Sequence, residues 1–433
     1  MPGKDAAAPI GLGVDFGTTN SVVALAYADG SVESLAWPSA FGQTDTFRTA
    51  LMFWREGRAG VRHVAGPAAI ARAINPEGDQ RFIQSIKTHL ASPLFTETRL
   101  YGERFTIERL VATFLARLFD HDALRAGTPL AVAAGRPVVF AGERPDEALA
   151  VERLATAFAE AGMKSVEFAY EPLGAAYWHA RKSAREEIVL VADFGGGTSD
   201  FSLLRFSRNA GRLEAQALAH DGVGVAGDSF DYRLIDHVVS PRLGKGTLYK
   251  SFDKRLPIPA YFHAAFAQWH QLSWLKSAQT LAELKKLTAS AEAPRLLEDL
   301  TILIEQDLGF ELYRAIGGLK ASLSAAPEAH FTFAREGIEI EAEVTRKDFE
   351  AWIADDLDRI AQAMDRAVEK AGLNFADVDA VFLTGGTSFV PAVRAMFSER
   401  FGESRLHVGD AFQSVASGLA LIAADRAGLR AGA

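Results

Sequence analysis

The run VADFGGGTSDFSLL, Val191 to Leu204, places three consecutive glycines between two aspartates inside an otherwise apolar, strand-like stretch. Glycine weakens a strand and offers no side chain to pack. The run therefore reads as a strand, a glycine turn and a second strand. A backbone that approaches an anion closely cannot carry β-carbons, and its bare N–H groups can form an anion-binding concavity. Carboxylates suit Mg²⁺, which keeps several waters and joins one or two acids to substrate phosphates.

The same form opens the chain. IGLGVDFGTTNSVVALAY, Ile10 to Tyr27, again reads as strand, polar glycine turn, strand. VDFGTT and ADFGGGT share an aspartate, an aromatic residue and glycines before a threonine. Their separation is too long for a solenoid repeat and fits two related halves. Either turn alone reads equally well as a tight hairpin. Together they argue for a phosphate site, because facing halves would bring Asp15 and Asp193 into one cleft.

A chain of 433 residues is long enough for two or more folding units. Its 48% hydrophobic and 23% charged content is that of an ordinary globular protein. The net charge of −9 argues against nucleic acid or an anionic membrane as the default partner. With no cysteine, disulfides, thiolate metal sites and a cysteine nucleophile are excluded. The N-terminus has no signal-like apolar run, and no charge-free apolar run reaches the ~20 residues of a membrane helix. A cytoplasmic location is expected.

Thr106 to Leu118 and Asp146 to Ala161 have amphipathic helical spacing and flank a strand near Leu130 to Ala134. Ser39 to Tyr101 is less periodic and reads as an insertion. Ser229 to Val239 is helical in spacing. Gly244 to Ser324 reads mostly as helix, with Trp269, Trp274 and a break at PIPAYF. Phe331 to Glu343 suggests a hairpin. Thr345 reads as an N-cap, with Asp348, Phe349, Ile353, Leu357 and Ile360 following. DAVFLTGGTSFVPAVRAMF reads as strand, glycine turn, helix. No P-loop GxxxxGK[ST] occurs. A GxGxxG at Gly222, Gly224 and Gly227 lacks the strand–helix–strand setting and acid of a dinucleotide fold. It precedes a helix, whose first amides could still face a phosphate. The ten histidines are scattered and read as surface or packing residues.

VDFGTTNS, ADFGGGTSDFSLL, YEPLGAAYW and LTGGTSFVPAV, in this order, resemble the ATPase domain of the seventy-kilodalton heat-shock (DnaK-type) chaperones, and more widely the actin and sugar-kinase fold. GRPVVF, at Gly135 to Phe140, and YEPLGAA bring the resemblance closest to the ATPase-domain-only, YegD-like branch. The likeness runs from Ile10 to Ala424. It implies a two-lobed α/β actin-like ATPase fold with a duplicated mixed β-sheet plus helices. Lobe I would take residues 1–186 with an insertion at about 38–103. Lobe II would take 187–409 with a mainly helical insertion at about 228–321. Residues 410–433 would return to lobe I, with no peptide-binding domain.

The resemblance also implies roles. Asp15 and Asp193 would hold Mg²⁺ through water and orient the attacking water. Asp200 would complete the surroundings of the metal and of K⁺. Gly17, Thr18, Thr19, Gly195, Gly196, Gly197 and Thr198 would line the β- and γ-phosphates of ATP or ADP, with Thr198 beside the reaction. Lys87, in FIQSIKTHL, matches the phosphate lysine, although a helical lysine is ordinarily a solvated charge. Glu171, in YEPLGAA, matches the acid that positions water or senses nucleotide at the lobe junction, although it could merely end a strand. Gly385, Gly386 and Thr387 would contact the nucleotide, and Lys320 and Ser324 match ribose and adenine contacts. Three positions depart from the pattern. Phe389 replaces a stacking arginine, Gly317 a ribose-binding glutamate, and Ala321 a second arginine. The implied function is Mg²⁺-dependent ATP binding and hydrolysis, with lobe closure signalling to a protein client or co-chaperone. The alternatives are a non-hydrolysing nucleotide-binding module and, on the same fold, a small-molecule kinase or a filament former.

Overall fold

The two glycine-turn hairpins each seed a sheet, and the sheets share one topology. In this computed structural model, residues 8–39, 42–57, 60–74, 78–125, 130–140, 144–182, 185–209, 212–267, 275–408 and 411–431 are described. Gly11–Phe16 pairs antiparallel with Asn20–Ala26, which pairs antiparallel with Val32–Ser34. On its other edge Gly11–Phe16 runs parallel to Ala131–Arg136, and that strand parallel to Val166–Tyr170. In the second sheet Glu187–Phe194, Ser199–Asn209 and Arg212–Val223 form the antiparallel meander. Ala380–Thr384 and Leu406–Val408 add the parallel pair. Both sheets therefore have the spatial order third, second, first, fourth, fifth.

The central strands are apolar on both faces, as covered parallel strands must be. Val189, Leu190, Val191 and Ala192 are all buried. Helices Glu171–Lys182 and Ala411–Ala431 share a core of small residues with both sheets, including Val22, Ala24, Val189, Val191, Val415 and Leu419. The contact is close because glycines face it. A β-carbon on Gly13 would lie 2.1 Å from the Ala416 carbonyl oxygen, and one on Gly418 would lie 1.8 Å from that of Gly174.

Several expected elements are present. Thr106 caps helix Ile107–Leu118 by accepting from the Arg109 amide, and Asp146 caps Glu147–Glu160 by accepting from Leu149. Thr345 accepts from the Asp348 amide at the start of Arg346–Trp352, and a second helix, Ala354–Lys370, follows. Glu328–Arg335 and Ile338–Thr345 form the expected hairpin. Two stretches hold elements that the sequence does not announce. Ser39 to Tyr101 contains a three-stranded sheet of Val61–Ala65, Ala50–Arg55 and Gln80–Gln84. Ala50 to Phe53 is buried without interruption, so the strand shows no alternation. Within Gly244 to Ser324, helices Ala278–Ser290, Pro294–Glu305 and Gly309–Ala325 are preceded by a hairpin, Leu248–Ser251 with Lys254–Pro257. Its two-residue turn is Phe252–Asp253, with Phe252 at φ 53°. Such turns favour Asn or Gly, so the sequence gives no turn signal. Trp269 and Trp274 lie outside the described residues. No helix among the described residues is long and apolar enough to cross a membrane.

Gly13→Ala should drive a methyl group into the backbone of the C-terminal helix, at a cost of roughly 3 kcal/mol. A fall in the urea midpoint checks this; an unchanged midpoint would mean that the helix yields freely.

Candidate functional site

The strand ends carrying the glycine turns meet at a cleft of about 1300 Å³ between the sheets. All the residues picked out from the sequence line it. The first hairpin supplies Asp15, Gly17, Thr18 and Thr19; the second supplies Asp193, Gly195, Gly196, Gly197, Thr198 and Asp200. Gly227 opens helix Gly227–Leu234, while Gly385, Gly386, Thr387 and Phe389 follow strand Ala380–Thr384. Lys320 and Ser324 lie along one face of helix Gly309–Ala325, and Lys87 and Glu171 complete the lining.

The glycines are of two kinds. Some are forced by the chain itself. A β-carbon on Gly17 would lie 2.1 Å from the Asn20 carbonyl oxygen. Gly385, at φ +85°, would place one 1.9 Å from that of Phe194. Others face open space: a β-carbon on Gly197, Gly224 or Gly386 would meet no described atom within 4 Å. These positions keep backbone bare towards the cleft. The second turn is closed by Gly195 donating to the Thr198 carbonyl at 2.9 Å, and strapped to the next helix by the Asp228 amide donating to Gly196 at 2.8 Å.

Lys87 stands on a single tight helical turn, Ile86–His89, and is only 8% exposed, which rules out a solvated charge. Its Nζ donates to Glu171 Oε1 at 2.5 Å. Burial alone would lower the Lys87 pKa, but Glu171, then Asp15 and Asp193, outweigh it and the net shift is upward. Burial pushes the Asp15 carboxyl well above its usual range; Glu171 and Asp193 add to this, and Lys87 opposes it. Glu171 is also raised, by burial first, with Lys87 pulling the other way. Glu171 begins helix Glu171–Lys182 directly after strand Val166–Tyr170, so its place in the site is set by a strand–helix junction. Asp193 Oδ1 accepts from Thr384 Oγ1 at 2.6 Å, and Asp200 Oδ2 accepts from Thr198 Oγ1 at 2.9 Å. Among the described residues no group of three or more His, Cys, Asp or Glu side chains forms a ready metal cage.

The far end of the cleft is poorer in free charge. Lys320 Nζ lies 2.8 Å from Asp231 Oδ1 and donates to the Gly227 carbonyl at 3.3 Å. Ser324 Oγ donates to the Lys320 carbonyl within its own helix. A β-carbon on Gly317 would meet nothing, and Phe389 is 52% exposed. Sequence reasoning missed Thr49, whose Oγ1 donates to the Gly17 carbonyl at 2.8 Å and whose amide donates to Thr19. It also gave no role to Asp228, His220 or Val139, which line the cleft. Val139 falls within GRPVVF; the others carry no local signal.

A family model described as Hsp70 protein matches residues 84–280 and 305–430 of the chain. Chaperone protein DnaK of Thermotoga petrophila is 28% identical over 421 residues, 96% of this chain and 59% of that protein. Chaperone protein DnaK of Thermosipho africanus is 26% identical over 423 residues, again 96% of this chain and 59% of the relative. The chain thus spans about three-fifths of the length of these curated relatives.

Asp200 carries a pH signature. Burial raises its pKa to about 7, against the Thr198 hydrogen bond, which lowers it. A carboxyl raised on folding favours the native state below its unfolded pKa and loses that contribution as pH rises through about 7. About 40% of the side chain is exposed, so solvent reduces the effect. Between pH 5 and pH 8 the wild type should lose about 1 kcal/mol relative to Asp200→Asn. Parallel urea midpoints shifting with pH in both proteins would refute this.

Proposed function

The chain belongs to the Hsp70 protein family, and on that premise we propose that its cleft binds ATP with Mg²⁺ and hydrolyses it slowly. The observation that carries the reading is the buried Lys87–Glu171 pair beside Asp15 and Asp193, facing glycine turns whose backbone is bare. The donor set fits the metal. Asp15, Asp193 and Asp200 offer oxygen, do not close a cage among themselves, and leave room for water and phosphate oxygens, as Mg²⁺ requires. When bound there, Mg²⁺ would neutralise phosphate charge and align the β- and γ-phosphates. K⁺ would share the surroundings of Asp200.

In this reading Gly195 to Thr198 and Gly17 to Thr19 hold the phosphates through backbone amides and hydroxyls. Lys87 is kept charged by its acidic neighbours and stabilises charge that develops on the transferring phosphoryl group. Glu171 fixes the ammonium, and Asp193, itself held by Thr384, orients the attacking water. Thr198 links the γ-phosphate to Asp200. Gly385, Gly386 and Thr387 flank the nucleoside side, and Phe389 supplies a stacking face for the base. The two topologically matched sheets would form two lobes that close on nucleotide, and closure would be read by a protein client or co-chaperone. A second reading, nucleotide binding without turnover, is favoured by the tethering of Lys320 and the vacant side-chain space at Gly317.

Two substitutions test this. Lys87→Ala should lower ATP turnover by roughly 10²–10³-fold while leaving Mg–ADP affinity nearly unchanged, because the charge acts mainly on the transition state. Calorimetric titration and phosphate release on one sample read both quantities. Saturable binding by the wild type without phosphate release would establish the second reading. Phe389→Ala should weaken binding of ATP and ADP by about 2- to 10-fold through the lost stacking surface; unchanged affinity would place the base elsewhere.

A further inference from the structure

Arg153 lies outside the cleft lining, on helix Glu147–Glu160, and is 7% exposed. A guanidinium presents a rigid planar fork of N–H donors, and burying it is costly unless those donors are met. Here the two terminal nitrogens are met by one short segment, residues 89–95. Nη1 donates to the carbonyls of His89, Leu90 and Ser92 at 3.3, 2.9 and 2.9 Å. Nη2 donates to the Phe95 carbonyl at 3.0 Å. Nε makes no hydrogen bond among the described residues, although it lies 3.0 Å from Glu108 Oε1, on helix Ile107–Leu118.

That segment leaves directly from the turn carrying Lys87. The Leu90 amide donates to the Lys87 carbonyl, and the Ser92 amide to that of His89. Just before the turn, Ser85 has φ 55°, a left-handed conformation unusual for a residue with a β-carbon. The Asp146 amide adds one more tie, donating to Ala91 at 3.0 Å. Lys87 therefore stands between a strained residue and a stretch of backbone pinned by a single side chain.

We propose that Arg153 is a positioning residue for Lys87: by gathering the carbonyls of His89 to Phe95 around one fork, it fixes where the Lys87 ammonium enters the cleft. The inference rests on the reading of Lys87 as the charge that acts on the transferring phosphoryl group. The fork suits the task because it meets several carbonyls at once in a fixed plane. A lysine would offer three donors from one point. Small displacements matter at such a site, since an error of about 1 Å in a catalytic group can cost on the order of 10²-fold in rate.

The test uses Arg153→Lys, which keeps a positive charge near Glu108 and removes the fork. Amide hydrogen exchange over residues 86–95 should accelerate about tenfold or more, with exchange elsewhere unchanged. ATP turnover should fall about tenfold or more, with Mg–ADP affinity held within about twofold. Unchanged exchange in 86–95 overturns the proposal. So does accelerated exchange with intact turnover in a protein that Lys87→Ala inactivates. A parallel loss of ADP affinity and of protection throughout the chain would reduce Arg153 to a structural role and likewise overturn it. If Lys87→Ala leaves turnover untouched, the reading of Lys87 fails by itself, and exchange still reports whether Arg153 holds the segment. Should Arg153→Lys not fold, Arg153→Gln removes the fork and its charge while keeping a single amide donor group. Exchange should then accelerate over 86–95 alone, and no change there overturns the proposal.

Discussion

A lysine removed from water stays charged only if nearby acids compensate for its lost hydration, and the site depends on that constraint. Lys87 has Glu171 at hydrogen-bonding distance and is also stabilised by Asp15 and Asp193. The balance is uneven, because three acids surround one ammonium. The upward shifts of Asp15 and Glu171 express that excess of negative charge in a dehydrated place. Such a floor is electrostatically incomplete by itself. A divalent cation would relieve the acids, and the ammonium beside them would then be free to act on phosphate. The same arrangement would disfavour a phosphate that arrived without a cation.

The fold makes this balance by bringing distant pieces together. Asp15 and Asp193 come from matched strands of two matched sheets. Glu171 comes from the junction between a parallel edge strand and a helix packed between the sheets. The close approach of that helix and the C-terminal helix through Gly174 and Gly418 leaves little freedom at the junction. Stiffness there is useful, because small rotations about a tightly packed pair of helices would be carried outward to the cleft walls. Lys87 alone comes from a short isolated helical turn, and Arg153 holds the segment that follows it.

What could be read in the sequence follows from this division. The hairpins with Asp15 and Asp193 were legible because a glycine turn beside an acid is a local pattern with a local cause. The cap at Thr345 was legible for the same reason. The convergence of Lys87 and Glu171 was not local; only the ordered family motifs suggested it. Nothing marked Arg153 or Thr49, because each acts through carbonyls distant in sequence. The hairpin at Leu248 to Pro257 was hidden because Phe252 occupies a left-handed turn position that ordinarily belongs to Asn or Gly, and it is also fully exposed. The sheet within Ser39 to Tyr101 was hidden because a strand buried on both faces loses its alternation.

The two ends of the cleft therefore differ in kind. At the end that the proposed reading gives to phosphate, Lys87 is buried against Glu171, and glycines keep the backbone open. At the opposite end, which that reading gives to the nucleoside, Lys320 is already committed to Asp231, Ser324 to its own helix, and Phe389 stands half exposed. Recognition weighted in this way would draw most of its binding energy from phosphate and metal, with a stacking contribution at the base. A γ-phosphate would then change the charge of the floor more than any change of base could. Under the proposed reading, sensing that phosphate would need rigid, charge-balanced elements where Lys87, Glu171 and the paired aspartates lie, and would tolerate a sparse pocket at the other end.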